Sequence, residues 1–111
     1  MSINHVIRLK YHNDDGAERE GDFVYTLPSL RARIAIGVEE AKLRGGVLAS
    51  QLDDVTLAMI VQLAYLKATV QFPADLTFDE NTDPFLMSKL YEEALSFEGT
   101  FLERLSKSRG G

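Results

Sequence analysis

The chain has 111 residues, 45% apolar and 26% charged, proportions that suit one globular domain with a single core and argue against disorder of the whole. Its formal net charge of −5 lacks the positive excess that non-specific binding to nucleic acid or to an anionic lipid surface requires. The absence of cysteine rules out disulfides and thiolate chemistry and suits a reducing compartment.

In chain order, MSINHVIRLK lacks the apolar stretch of about 7–15 residues that a secretory signal needs, so a cytoplasmic protein is expected. Ile3, Ile7, Leu9 and Tyr11 share one parity, the alternation of a half-buried strand. Phe23, Tyr25 and Leu27 form a second β-prone run. The segment NDDGAEREGD between the runs is rich in turn residues and acid. The expected element is a β-hairpin over 3–27 whose long acidic loop, 13–22, is either a mobile solvated tip or an arm that a partner orders.

Pro28 and Ser29 open a helix over 29–44, which Gly45-Gly46 closes. Leu30, Ile34, Val38 and Ala41 lie on one face, where Gly37 leaves room for another backbone. Ala32, Ile36 and Leu43 lie on the opposite face. A surface helix ordinarily carries one apolar stripe, and this one has two. Two arrangements follow: the helix is sandwiched inside the monomer, or Ala32, Ile36 and Leu43 meet another chain, whether a partner or a second copy.

Ser50-Gln51-Leu52-Asp53 has the capping-box pattern and starts a helix expected over 51–72, stopped by Pro73. Between Leu57 and Leu66 only Gln62 is polar, so this helix is expected to be buried on every side, with Gln62 a buried polar group. Asp53, Asp54, Lys67 and Gln71 interrupt the run before it reaches the roughly 18 nearly uncharged residues of a membrane span. Leu76 and Phe78 in the loop 73–83 are expected to anchor on the core. Asp83-Pro84 starts a last helix over 84–107, with a stripe of Met87, Leu90, Tyr91, Ala94, Phe97, Phe101 and Leu105. Residues 106–111 read as a frayed tail. Glu98 falls inside the apolar stripe; a lone buried carboxylate is costly, so it must be paired, hydrogen-bonded or at an edge. The reading is thus a mainly helical α+β domain spanning 1–111, an N-terminal β-hairpin followed by three helices with a buried central one.

No pattern here carries chemistry. His5 and His12 have opposite strand parity, there is no HExxH or EF-hand spacing, and no metal or other cofactor is expected. No serine or threonine sits in a nucleophile elbow, and Gly45-Gly46 follows a helix rather than a strand. Adjacent acids such as Glu39-Glu40 and Glu92-Glu93 stand about 100° apart on a helix and do not converge. Arg31, Arg33, Lys42 and Arg44 are split between two flanks and make no nucleic-acid stripe.

Three stretches, YTLPSLRARIAIGVEEAKLRGG at 25–46, LDDVTLAMIVQLAYLKATV at 52–70 and DPFLMSKLYEEALSFEGTF at 83–101, resemble the small tail assembly chaperones of long-tailed bacteriophages. The resemblance covers roughly residues 23–102. It implies a non-enzymatic cytoplasmic helper in virion assembly that binds the tape-measure protein, keeps it soluble and helps recruit tail-tube subunits. It also implies that this chain corresponds to the short form of a family that makes a longer one by frameshifting. The rival readings are a permanent head-tail or tail component of the virion, a small regulatory adaptor, and an enzyme or metal-dependent regulator built on Glu98 and a histidine.

Overall fold

The computed structural model describes residues 3–110, with side chains described over 3–107. Strand β1 (Asn4–His12) pairs antiparallel with β2 (Glu18–Thr26), Ile7 opposite Phe23 and His5 opposite Tyr25. Odd residues of both strands face inward: Ile7, Tyr11, Phe23 and Tyr25 are buried, while Val6, Arg8 and Lys10 face outward. Gly21 fits closely on this face: a Cβ there would lie 3.1 Å from the Tyr11 ring, tighter than an ordinary contact.

The turn is shorter than expected. Asn13 Oδ1 accepts from the amides of Asp15 and Ala17 at 3.1 and 2.9 Å, and Gly16 takes a φ of 83°, so the chain reverses within five residues, Asn13 to Ala17. The acidic run beyond it is strand. Glu20 and Asp22 point outward and pair with Arg8 at 2.7 and 2.8 Å across the ladder. Acid-rich composition had concealed an alternation that begins at Glu18.

Nor is the tip free. The Tyr11 hydroxyl donates to Asp75 at 2.6 Å, and Asp14 accepts from the Thr77 amide and hydroxyl at 2.8 and 2.6 Å. The Thr77 hydroxyl and amide hold the Asp14 carboxyl below its usual range; the Tyr11 hydroxyl does the same for Asp75. A depressed folded-state pKa contributes stability that is complete above the unfolded value of 3.8 and is lost as pH falls through the folded one. Acid titration of stability from about pH 5 downward should therefore be shallower in an Asp14→Asn/Asp75→Asn variant than in the parent. An identical slope would mean that these bonds do not distinguish the folded from the unfolded chain.

Helix α1 (Leu30–Arg44) starts where Ser29 Oγ accepts from the Ala32 amide at 3.2 Å, and ends at Gly45 in the left-handed conformation. A short 3-10 turn (Ala49–Gln51) precedes α2 (Asp54–Thr69), so the expected capping box is displaced. Gln51 reaches back to the Leu48 amide at 3.0 Å, and Asp53 caps α2 by accepting from Thr56 at 2.6 Å. The C-terminal half of α2 is buried, through Leu63, Ala64, Tyr65, Leu66 and Thr69. Its N-terminal half is not: Val55 is 70% exposed, and Ala58 and Met59 face out beside it.

The helix also stops earlier than Phe72. Val70–Gln71 forms β3, which adds antiparallel to β2 through Tyr25↔Val70 and Val24↔Gln71, giving the order β1-β2-β3. β-branched Thr69 and Val70 ahead of Pro73 favour this extended exit, and Val70 gains a buried seat. Leu76 and Phe78 pack against the core as expected, with Phe78 stacked on Phe72 at 4.1 Å.

Helix α3 (Pro84–Gly110) begins at Asp83, whose Oδ1 accepts from the Phe85 amide at 2.9 Å. Its 27 residues span about 40 Å. Met87, Leu90 and Ala94 are buried, but Leu105 is exposed, so the inward stripe ends near Phe101. The expected tail at 106–111 is helical through Gly110; Gly111 lies outside the described residues.

Candidate partner-binding face

Which stripe of α1 turns inward is decided by its neighbours. On the inner side, Glu39 accepts from Lys67 of α2 at 3.0 Å, and Arg33 pairs with Glu98 of α3. Between these ties Ile36 enters the core at 9% exposure, with Leu43 half-buried against it and Ala32 also half-buried. The three residues named as partner-binding from the sequence are thus occupied inside the monomer. The stripe taken there as core is the one left outside: Leu30 is 76%, Ile34 62% and Val38 52% exposed. Two apolar stripes at the same helical spacing look alike in a sequence; what separates them is the contact of Arg33 with Glu98 on α3.

The expectation for Glu98 holds. Its side chain is 13% exposed, pairs with Arg33 through Oε1, and accepts from the Tyr65 hydroxyl at 3.1 Å through Oε2. Tyr65 having spent its proton there, its oxygen accepts from Tyr25, the two hydroxyls lying 2.6 Å apart. One chain of bonds therefore joins β2, α1, α2 and α3. Burial raises the pKa of Tyr65, and the Tyr25 hydroxyl and Glu98 charge push it further, so the phenol stays neutral. Among the described residues, every buried side-chain nitrogen and oxygen has a partner. Gln62, expected as a buried polar group, is half-buried and faces Ser88 at 3.4 Å across the α2–α3 seam.

The ion pair also ties α1 to α3. Arg33 meets Glu98; burial raises the Tyr91 hydroxyl pKa, and the Glu40 and Glu98 charges add to it. On a helix, positions three and four away stand beside a given residue. Leu30 and Gly37 flank Arg33, and Leu95 and Leu102 flank Glu98, in each case on the side away from the core. Leu95 and Leu102 are both exposed.

Elsewhere, a cleft of about 640 Å³ lies between the hairpin end, the 73–83 loop and the start of α3, lined by Lys10, His12, Asp79, Phe85 and Lys89 among others. His5 faces inward and stacks on Phe97 at 4.5 Å, whereas His12 is exposed. The histidine–Glu98 pairing that an enzymatic reading calls on is therefore not assembled: Glu98 bonds to Arg33 and Tyr65. Among the described residues no three histidine, cysteine or acidic side chains converge as a metal site. No described helix is long and apolar enough to cross a membrane. Comparisons with protein-family models, curated proteins and solved structures gave no match.

Proposed function

We propose that the chain is a non-catalytic assembly protein of the tail-assembly-chaperone kind its sequence resembles, acting in the host cytoplasm. The outer face of α1 lies against an amphipathic helix of a tape-measure protein. One observation carries this reading: Leu30, Ile34 and Val38 form a helical apolar stripe that the monomer leaves open, and such a stripe is suited to helix-on-helix recognition. The N-terminal half of α2 supports it. Its sequence is apolar all round, yet Val55 and Met59 are uncovered, so full burial of the central helix is completed by another chain. Tail-tube subunits would be recruited to the complex so formed.

Co-production with a long-tailed phage tape-measure protein should keep that protein in the soluble fraction and co-eluting with this chain. An Ile34→Glu/Val38→Glu variant should remain folded and lose both effects, because two carboxylates then replace the apolar contact. Undiminished retention by the variant would remove this face from the reading. Recovery of the chain as a stoichiometric part of finished virions would favour a permanent structural component.

A further inference from the structure

With the order β1-β2-β3, strand β1 lies at the edge of the sheet. In an antiparallel pair, opposite residues alternate between hydrogen-bonded and unbonded pairs. The Leu27 amide donates to the Ile3 carbonyl at 2.8 Å and the Asn13 amide to the Ala17 carbonyl at 3.0 Å, and both pairs continue the register of Ile7 with Phe23. Odd residues of β1 therefore bond to β2. The amides and carbonyls of Val6, Arg8, Lys10 and His12 point to the free edge, where no backbone group among the described residues bonds to them. One step further along, this edge is already used: the Asp14 amide donates to the Asp75 carbonyl at 3.0 Å.

Residues 9–14 of the same stretch line the cleft of about 640 Å³, together with Phe85 and Lys89, one turn apart on α3. Phe85 is 86% exposed, so its ring serves no packing within the chain. Three aspartates also line the cleft, and each already accepts from a neighbour: Asp14 from Thr77, Asp79 from the Asn81 amide at 2.8 Å, and Asp83 from the Phe85 amide. Lys10 and Lys89 pair with no acid among the described residues.

Two properties decide what fits here. A row of unbonded main-chain donors and acceptors is matched by another extended chain, and not by a helix, whose backbone groups are bonded internally. A second copy of β1 is disfavoured, because Asn4–His12 holds Arg8 and Lys10 and no acid, and edge-to-edge pairing brings like charges together. We propose that an extended segment of another protein adds to β1 as a fourth strand, its alternating side chains setting an apolar group on Phe85 and an acidic one beside Lys10. This edge is separate from the outer face of α1, and the inference does not rest on the reading of that face.

The probe is a dye-labelled peptide of about seven residues that alternates valine and glutamate, with binding read by fluorescence anisotropy. Adding N-methyl groups to one alternate set of its amides, the set facing β1, should weaken binding by about tenfold or more, and methylating the other set should change it by less than about twofold. A valine–lysine peptide should bind about tenfold more weakly at low salt, a gap that narrows at high salt. Phe85→Ala, an exposed change, and Lys10→Pro, which removes an amide that the ladder does not use, should each cost about tenfold in affinity and keep cooperative unfolding.

Equal losses from both methylated sets, no binding, or equal binding of the lysine peptide would each overturn the inference and leave the α1 reading untouched. Concentration-dependent self-association of the chain, blocked by Lys10→Pro, overturns it by making a second copy the occupant.

Discussion

Ile36→Glu is expected to abolish cooperative folding, whereas Ile34→Glu, two residues earlier on the same helix, leaves the thermal transition nearly unmoved. Two residues on an α-helix are about 200° apart, so the side chains face opposite ways. Ile36 is 9% exposed within the core cluster, and Ile34 is 62% exposed. An unpaired carboxylate in the Ile36 site, together with the lost packing, costs about 4 kcal/mol or more, comparable with the roughly 5–15 kcal/mol that stabilises a domain of this size. An exposed substitution moves stability by about 0.5 kcal/mol or less. Thermal unfolding followed by circular dichroism checks the pair. Loss of the transition in Ile34→Glu with retention in Ile36→Glu would mean that α1 packs through its other face.

Tyr65→Ala should be the most damaging truncation of α2, at about 3–5 kcal/mol, with Tyr65→Phe costing about 1–2 kcal/mol. The ring is 7% exposed and packs against Tyr25 and, edge-on at 5.6 Å, against Tyr91, so its removal leaves a cavity shared by the sheet and two helices. Phenylalanine keeps the ring and takes away only the hydroxyl that bridges Glu98 and Tyr25. Because Tyr25 is fully buried, its own hydroxyl is then left without a partner. Chemical denaturation of the two variants separates packing from the polar chain. Equal losses would show that the bond network, and not the ring, holds the elements together.

These two sites show what the sequence made legible. Local rules carried well: the strand parity of Ile7 and Tyr11, the Ser29 and Gly45 ends of α1, the Asp83-Pro84 start of α3, and the need for Glu98 to find a partner. Each depends on neighbours a few residues away or on the cost of one group. What failed depended on distant pairing. Residues 70–71 leave the helix because the edge of β2 offers them ladder bonds, which nothing local announces. The 13–22 segment became strand because Arg8 stands opposite its acids. The α2 run is apolar on all sides, but the chain has too few elements to cover Val55 and Met59. On α1 both stripes were visible, and which of them enters the core was not: Ile36 is 9% exposed and Ile34 62%. A contact between Arg33 and Glu98, 65 positions apart, settles that choice, and no periodicity within α1 encodes it.

The central claim is that a partner helix is held on the outer face of α1. Amide chemical-shift mapping of the labelled chain during titration with a synthetic amphipathic tape-measure segment tests it most directly. The account predicts that the perturbed amides cluster over 30–41 of α1, with the hairpin tip and the 73–83 loop unchanged. Perturbations centred on the hairpin or on the cleft beside Phe85, with α1 silent, would contradict it.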